Sequence, residues 1–224
     1  MIVTDSSANH LDGIDRLANA YSVMRHGQSL ANVAGIIVSR IESDRRGDYG
    51  LSELGRAQAL EAARSSGLTI DTIICSSDFS RARQTAEIVR TQLGAPEIEV
   101  TGALRERCFG EWDGSSTDNY TRVWAADQAG SAQAGSAQAD SDIEPVSNGV
   151  EPASGVLDRT TALVVDLERR FSGRHILLVS HGDTLQILQA GFLRMNPASH
   201  RSLPGLQTAE IRRLYLKDRP STSR

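Results

Sequence analysis

HILLVSHGDT, residues 175–184, sets the reading of the chain: a short apolar run passes directly into His181, Gly182 and Asp183. The run reads as a strand, and its polar end falls where open parallel sheets bind ligands, outside the carboxyl ends of their strands. A second stretch, VMRHGQS (23–29), ends the same way, with His26-Gly27 after an apolar run. TIIC (72–75), IEV (98–100) and AEIRRLYL (209–216) read as further strands. Short apolar runs that alternate with segments of helical period predict an α/β fold with a largely parallel sheet.

The helical segments lie between these runs. Ser52 is a plausible N-cap for a helix to about Ser66, and Ala82, Ala86, Val89 and Leu93 share one face of another. Val156, Thr160, Leu163, Val164, Leu167 and Phe171 form a longer stripe that ends near Gly173. Residues 115–154 break this rhythm, and AGSAQAGSAQA (129–139) repeats a unit of small polar residues. Such residues bury little surface, so the segment is expected to be a flexible insertion, with an Ala/Gln-rich helical lid as the alternative. Residues 1–19 read as an N-terminal arm, 20–217 as one domain and 218–224 as a tail.

With 224 residues the chain is long enough to bury a substantial core. A net charge of −4 offers no general attraction to nucleic acid or to an anionic membrane, so any strongly basic site is local. No apolar run approaches the length of a membrane span. Two cysteines, Cys75 and Cys108, are too few for a disulfide framework, and the first residues show no basic and apolar leader pattern. A cytoplasmic protein with reduced thiols is the expectation.

Either His-Gly pair alone reads as a turn with an incidental histidine. Two at equivalent strand ends, among only five histidines, suggest a site. A third strand end, IICSSDFSRARQTAEIV (73–89), leads into a helix with Arg81 and Arg83 two residues apart. They cannot share a helix face, so at most one of them points into the site. ALRERCFGEWDG (103–114) adds Glu106 between two arginines, ordinarily a solvated face, followed by Phe109 and Trp112, two of few aromatics. Their presence suggests that this loop packs against something.

Two imidazoles, two or three guanidiniums and a carboxylate suit phosphoryl transfer. Guanidiniums match phosphate oxygens, a neutral imidazole can attack phosphorus, and a carboxylic acid can protonate a departing alkoxide. Metal-dependent hydrolysis is a weaker match: there is no H-E-x-x-H motif, no cysteine pair and no aspartate cluster. A Ser-His-Asp hydrolase is weaker still without a G-x-S-x-G elbow.

Arg25-His26-Gly27 with Asn32, LSELGRAQA (51–59), SSDFSRARQTAE (76–87), LRERCFGEWDG (104–114) and VSHGDT (179–184) resemble, in order, the signatures of the histidine phosphatase superfamily. The resemblance covers roughly residues 20 to 216 and is weakest over 115–154. It implies a phosphoglycerate mutase-like three-layer α/β/α sandwich and a metal-independent phosphomonoesterase that works through a phosphohistidine, without cofactor, on small phosphorylated metabolites. By position it implies His26 as nucleophile and Arg25, Arg81, Asn32 and Gly182 as phosphate ligands. His181 would be a charged stabiliser of the transferring group. Glu106 would act first as acid and then as base. His26 must then be unprotonated while Glu106 is protonated, so their surroundings should push the two pKa values apart.

Within that resemblance, FGEWDG matches the phosphatase branch, whereas mutases follow the acid with a YG-LQG pattern. The alternatives are phosphoglycerate mutase-type transfer and an idle member that binds phospho-ligands or proteins. One departure concerns position 38, often a polar phosphate contact in such phosphatases, which here is Val38 with Ser39 next. It hints at a changed pocket wall. The 115–154 segment stands where these enzymes roof the substrate, as a lid or as a passive loop. Oligomeric state is open, a homodimer included.

Overall fold

The computed structural model describes residues 9–46, 49–134 and 148–219. In chain order these form β1 (Ala20–Arg25), α1 (Leu30–Ala34), α2 (Ile41–Arg46), α3 (Glu53–Ser65), β2 (Ile73–Ser77), α4 (Ser80–Leu93) and β3 (Glu99–Thr101). They continue with α5 (Tyr120–Ala134), α6 (Ala153–Arg170), β4 (His175–Ser180), α7 (Gly182–Phe192) and β5 (Ile211–Leu214).

The strands lie in the order β3-β2-β4-β1-β5. β1 and β2 both pair parallel with β4, and β3 pairs parallel with β2. Only β5 runs antiparallel, against β1. The unbroken apolar character of β4 has its cause in this placement, because both faces of the strand are covered. Ile176 and Leu178 join a core with Val164 and Leu167 of α6 and Leu185 and Leu188 of α7. Leu177 and Val179 face the opposite way, onto Ala59 and Ala63 of α3 and Ala82, Ala86 and Val89 of α4. Helices on both faces of a mostly parallel sheet complete the expected three layers.

Two expectations need correction. Part of the 115–154 segment is ordered: α5 runs through its first half and seats Val123, 1% exposed, against Ile37 and Phe109. Aromatic and aliphatic residues at 120, 123 and 124 give that helix something to bury, which the small-residue repeat obscures. Residues 135–139 of the repeat lie outside the described residues. Residues 1–8 of the arm lie outside the described residues, but residues 9–19 are integrated, for Leu11 is fully buried in the core beneath α6 and α7, and Asn9 donates to the Gly191 carbonyl at 3.0 Å. No described helix is long and apolar enough to cross a membrane.

Candidate active site

β1 and β4 are neighbours in parallel, with Arg25 opposite Ser180. The next residue on each strand is a histidine, so His26 and His181 emerge side by side, ring centroids 5.2 Å apart. Both are buried, at 3% and 0% exposure. His26 Nδ1 lies 2.7 Å from the carbonyl oxygen of Gly27. A carbonyl only accepts, so Nδ1 carries the proton and the neutral ring keeps its lone pair on Nε2. That nitrogen accepts from Arg81 Nε at 3.1 Å. Burial, then the Arg81 and Arg25 guanidiniums, hold the His26 pKa well below the ordinary imidazole value.

Gly27 serves the backbone rather than ligand access. A Cβ on it would stand 2.3 Å from the Gly55 carbonyl oxygen, and one on Gly55 would stand 2.0 Å from that of Gln28. The first turn of α3 is therefore pressed against the residues that follow His26, which accounts for the glycine in LSELGRAQA. Gly182 is different, since a Cβ there would meet Arg25 Nε at an ordinary 3.5 Å.

Of the two arginines of α4, Arg81 enters the site, 4% exposed, and Arg83 faces solvent. Arg81 Nη2 donates to the Val38 carbonyl at 2.9 Å. A cation in a helix's first turn opposes the helix dipole, and Asp44 offsets this. It accepts from Ser80 N–H at 2.8 Å and lies 3.7 Å from Arg81 Nη1. Val38 itself packs with Ala31 and Phe79, and the Ser39 hydroxyl donates to Asp113 at 2.9 Å while accepting from Phe109 N–H. Position 38 is thus core, with its carbonyl rather than its side chain facing the site.

The remaining expected ligands divide. Arg25 Nη1 donates to the Leu206 carbonyl at 2.9 Å. Asn32 is exposed on α1, where its Oδ1 accepts from Ser29 N–H at 3.0 Å in a capping box, leaving only its amide nitrogen for a ligand. At His181, burial, then Arg81, His26 and two further arginines, push the pKa well below the ordinary imidazole value in the free site. Its Nε2 lies 2.9 Å from Ser77 Oγ. Four buried side-chain polar atoms among the described residues have no hydrogen-bond partner, and three of them are Arg25 Nε, Arg81 Nη1 and His181 Nδ1. Two guanidinium N–H groups and a ring nitrogen are thus left over beside His26, a set suited to an anion.

The triplet Arg105-Glu106-Arg107 is no common solvated face. Arg105 is part-exposed and pairs with Asp78 at 2.6 Å. Glu106 is 8% exposed and Arg107 2%. Burial and the nearby Asp183 raise the Glu106 pKa from its ordinary value, against Arg81 and two backbone N–H groups that pull it down. The opposite displacement of His26 and Glu106 is the one that acid and nucleophile require.

Several contributors escaped the sequence reading. Arg107 binds Asp127 of α5 at 2.6 Å and Asp183 of α7 at 3.2 Å. Asp183 also accepts from Trp124 Nε1 and lies 2.9 Å from His200 Nε2. Tyr120 and Trp124 stack 5.3 Å apart, with Tyr120 edge-on to Phe109. Burial, then Glu106, push the Tyr120 phenol up, which sets it near that carboxyl. The aromatics of FGEWDG thus pack against α5 and make a wall beside Glu106. No spacing rule signals this, because the partners lie on different elements and meet only in the fold.

A family model described as histidine phosphatase superfamily (branch 1) matches residues 22–223. The chain is 28% identical over 197 residues to a metal-independent phosphoserine phosphatase of Arabidopsis thaliana, covering 88% of this chain and 76% of that protein. It is 31% identical over 195 residues to a glucosyl-3-phosphoglycerate phosphatase of Mycobacterium tuberculosis, covering 84% and 81%. A solved mycobacterial glucosyl-3-phosphoglycerate phosphatase in complex with VO3 superposes with TM-score 0.67 at 27% identity, covering 87% and 90% of the two chains. Relatives called 2,3-bisphosphoglycerate-dependent phosphoglycerate mutases also match, one from Parvibaculum lavamentivorans at 30% over 183 residues, covering 77% and 79%.

Proposed function

The chain belongs to the histidine phosphatase superfamily, branch 1, and is a phosphatase; from that premise we propose the roles of its residues and the class of its substrate. His26 Nε2 attacks the phosphorus of a phosphomonoester, and the P–O bond to the alcohol breaks. Glu106 gives its proton to the departing oxygen. Water then attacks phospho-His26, losing a proton to the Glu106 carboxylate, and inorganic phosphate leaves with His26 restored. The observation that carries this reading is the set of buried polar atoms beside His26 that have no hydrogen-bond partner: Arg25 Nε, Arg81 Nη1 and His181 Nδ1.

Arg81 has a further part. In the free site its Nε–H rests on the lone pair of His26. A phosphoryl oxygen competes for that donor and uncovers the nucleophile as it binds. His181 contributes as a neutral donor through Nδ1, with Ser77 on its other nitrogen. Gly182 supplies an N–H from the first turn of α7, where no intrahelical carbonyl takes it. The Asn32 amide adds a contact from α1.

The substrate is a small phosphorylated metabolite. The wall of Tyr120 and Trp124, with Arg201 3.7 Å over the Trp124 ring, stands where its leaving group lies. A generic aryl phosphate, assayed with chelator present, tests the reaction, and a substrate panel then ranks leaving groups. Wild-type turnover, its loss in His26→Ala and an acid-labile phosphoryl group trapped on His26 are the expected results. Activity that survives His26→Ala overturns the mechanism, and interconversion of phosphoglycerates that outpaces hydrolysis overturns the hydrolytic assignment.

A further inference from the structure

The aromatic wall beside Glu106 carries a guanidinium. Tyr120 stacks on Trp124 with centroids 5.3 Å apart and 7° between the planes, and Arg201 lies 3.7 Å over the Trp124 ring. The segment that bears Arg201 is tied to the residues of the phosphate site at three further points. His200 Nε2 lies 2.9 Å from Asp183 Oδ1, next in the chain to Gly182. Gln186 of α7 donates to the Leu203 carbonyl at 2.5 Å, and Arg25 to the Leu206 carbonyl at 2.9 Å.

Arg201 is half-buried, and its Nη1 donates to the side-chain oxygen of Gln186. Its Nε and Nη2 make no hydrogen bond to a described residue. Among the described residues no carboxylate pairs with Arg201 or with Arg25. Asp183, whose charge reaches Arg201, is already held by Arg107, His200 and Trp124. Burial lowers the Arg201 pKa, with Asp183 pulling it up and Arg25 pushing it down, so the two guanidiniums stand within electrostatic reach of each other. Two such cations without a carboxylate partner favour an anion beside them, and the N–H groups left on Nε and Nη2 form a planar fork that fits two oxygens of one anionic group. The ring and Gln186 hold this fork in place before any ligand arrives, which keeps the ordering cost of binding low.

We propose that Arg201 is a specificity-determining residue: it binds a second anionic group carried by the leaving alcohol, so that the preferred substrates are phosphomonoesters whose alcohol bears a carboxylate or a further phosphoryl group. This rests on the phosphatase mechanism with Glu106 as the acid. The acid marks the leaving oxygen, and the stack of Tyr120 and Trp124 leads from it to Arg201.

The test gives the full chain three phosphomonoesters of matched length, in series of two, three and four carbons: an alkyl phosphate, the same chain ending in a carboxylate, and the same chain ending in a second phosphoryl group. Wild type should prefer a charged end over the alkyl end by about 10- to 100-fold in kcat/KM, the range expected of hydrogen bonds to a charged group. Preference for one of the two charged ends alone also supports the proposal and identifies the anion. Arg201→Gln should abolish the preference, and Arg201→Glu should turn it towards a chain that ends in an ammonium group. Each readout is a ratio between substrates in one preparation, so a loss of folded enzyme does not move it. Calorimetric binding of the matching non-hydrolysable phosphonates makes the same comparison without turnover. A wild type indifferent to the end group, or a preference that persists in Arg201→Gln, overturns the proposal while hydrolysis of the esters leaves the phosphatase mechanism standing. A loss in Arg201→Gln that is equal for all three esters also overturns it, since Arg201 would then serve the transferred phosphoryl group. If wild type hydrolyses none of the esters while the phosphonates keep an Arg201-dependent preference, the mechanism fails and the anion subsite stands. Should Arg201→Gln not fold, Arg201→Met, which keeps an apolar stem over Trp124, is read by the same ratios.

Discussion

Arg81 Nε donates to His26 Nε2 at 3.1 Å while Gly27 holds the opposite ring nitrogen at 2.7 Å. One contact fixes the tautomer, and the other keeps a cation on the lone pair of the proposed nucleophile. Arg81→Ala should lower kcat/KM by about 100- to 1,000-fold in an aryl phosphate assay. Arg81→Lys should recover little, because an ammonium cannot place one donor on the imidazole, one on the Val38 carbonyl and one on a phosphoryl oxygen.

The pH profile follows from opposed shifts. His26 must be neutral and its pKa is depressed, so the acid limb of kcat/KM should fall below the imidazole value of 6.5. Glu106 must be protonated and its pKa is raised, so the alkaline limb should report Glu106 and vanish in Glu106→Gln along with most of the rate. Initial rates across pH with a fixed leaving group check both limbs.

Acid should also weaken the fold through the same histidines. His26 and His181 are held neutral when folded, whereas unfolding returns each to about 6.5. Below that pH the unfolded chain binds more protons, so stability is full above 6.5 and is lost as pH falls beneath it. In His181→Asn the decline of Tm in this range should be shallower than in wild type, measured by calorimetry.

Gly55→Ala should be severe for an alanine in a helix. Its Cβ would stand 2.0 Å from a backbone oxygen, so either α3 or the segment after His26 must move. Overpacking of this kind costs about 1–3 kcal/mol or more, and activity should drop with it. Gly13→Ala, with nothing within 4 Å of the added carbon, should lie within about 0.5 kcal/mol of wild type in urea titration.

Arg107 is buried between Asp127 and Asp183. Arg107→Ala leaves two carboxylates without their cation and should cost about 3–5 kcal/mol in denaturant unfolding. Hydrogen exchange in α5 should rise in the same variant, because Asp127 is that helix's tie to the acid loop.

Much of the site was legible because its chemistry follows strand ends. An apolar run that stops at a histidine identifies both a strand and the end that faces a ligand, which located His26 and His181. Two arginines two apart on α4 left one for the site, and burial chose Arg81 over Arg83. The triplet at 105–107 was legible only in part. Its three charges have three fates, and an isolated sequence offers no means of telling a solvated arginine from a buried one.

By itself the sequence determined the parallel α/β pattern and pointed to phosphoryl chemistry, because strand burial and donor type are local properties; the roles proposed for His26, Arg81 and Glu106 came from the family resemblance. Only the tertiary structure decided that Gly27 makes room for Gly55 and that the Thr184 N–H meets Glu106. It also decided that α5 walls the site through Arg107 and Asp183. Protonation and side-chain orientation depend on what else is buried within a few ångströms, and those neighbours are brought together by the fold from distant parts of the chain.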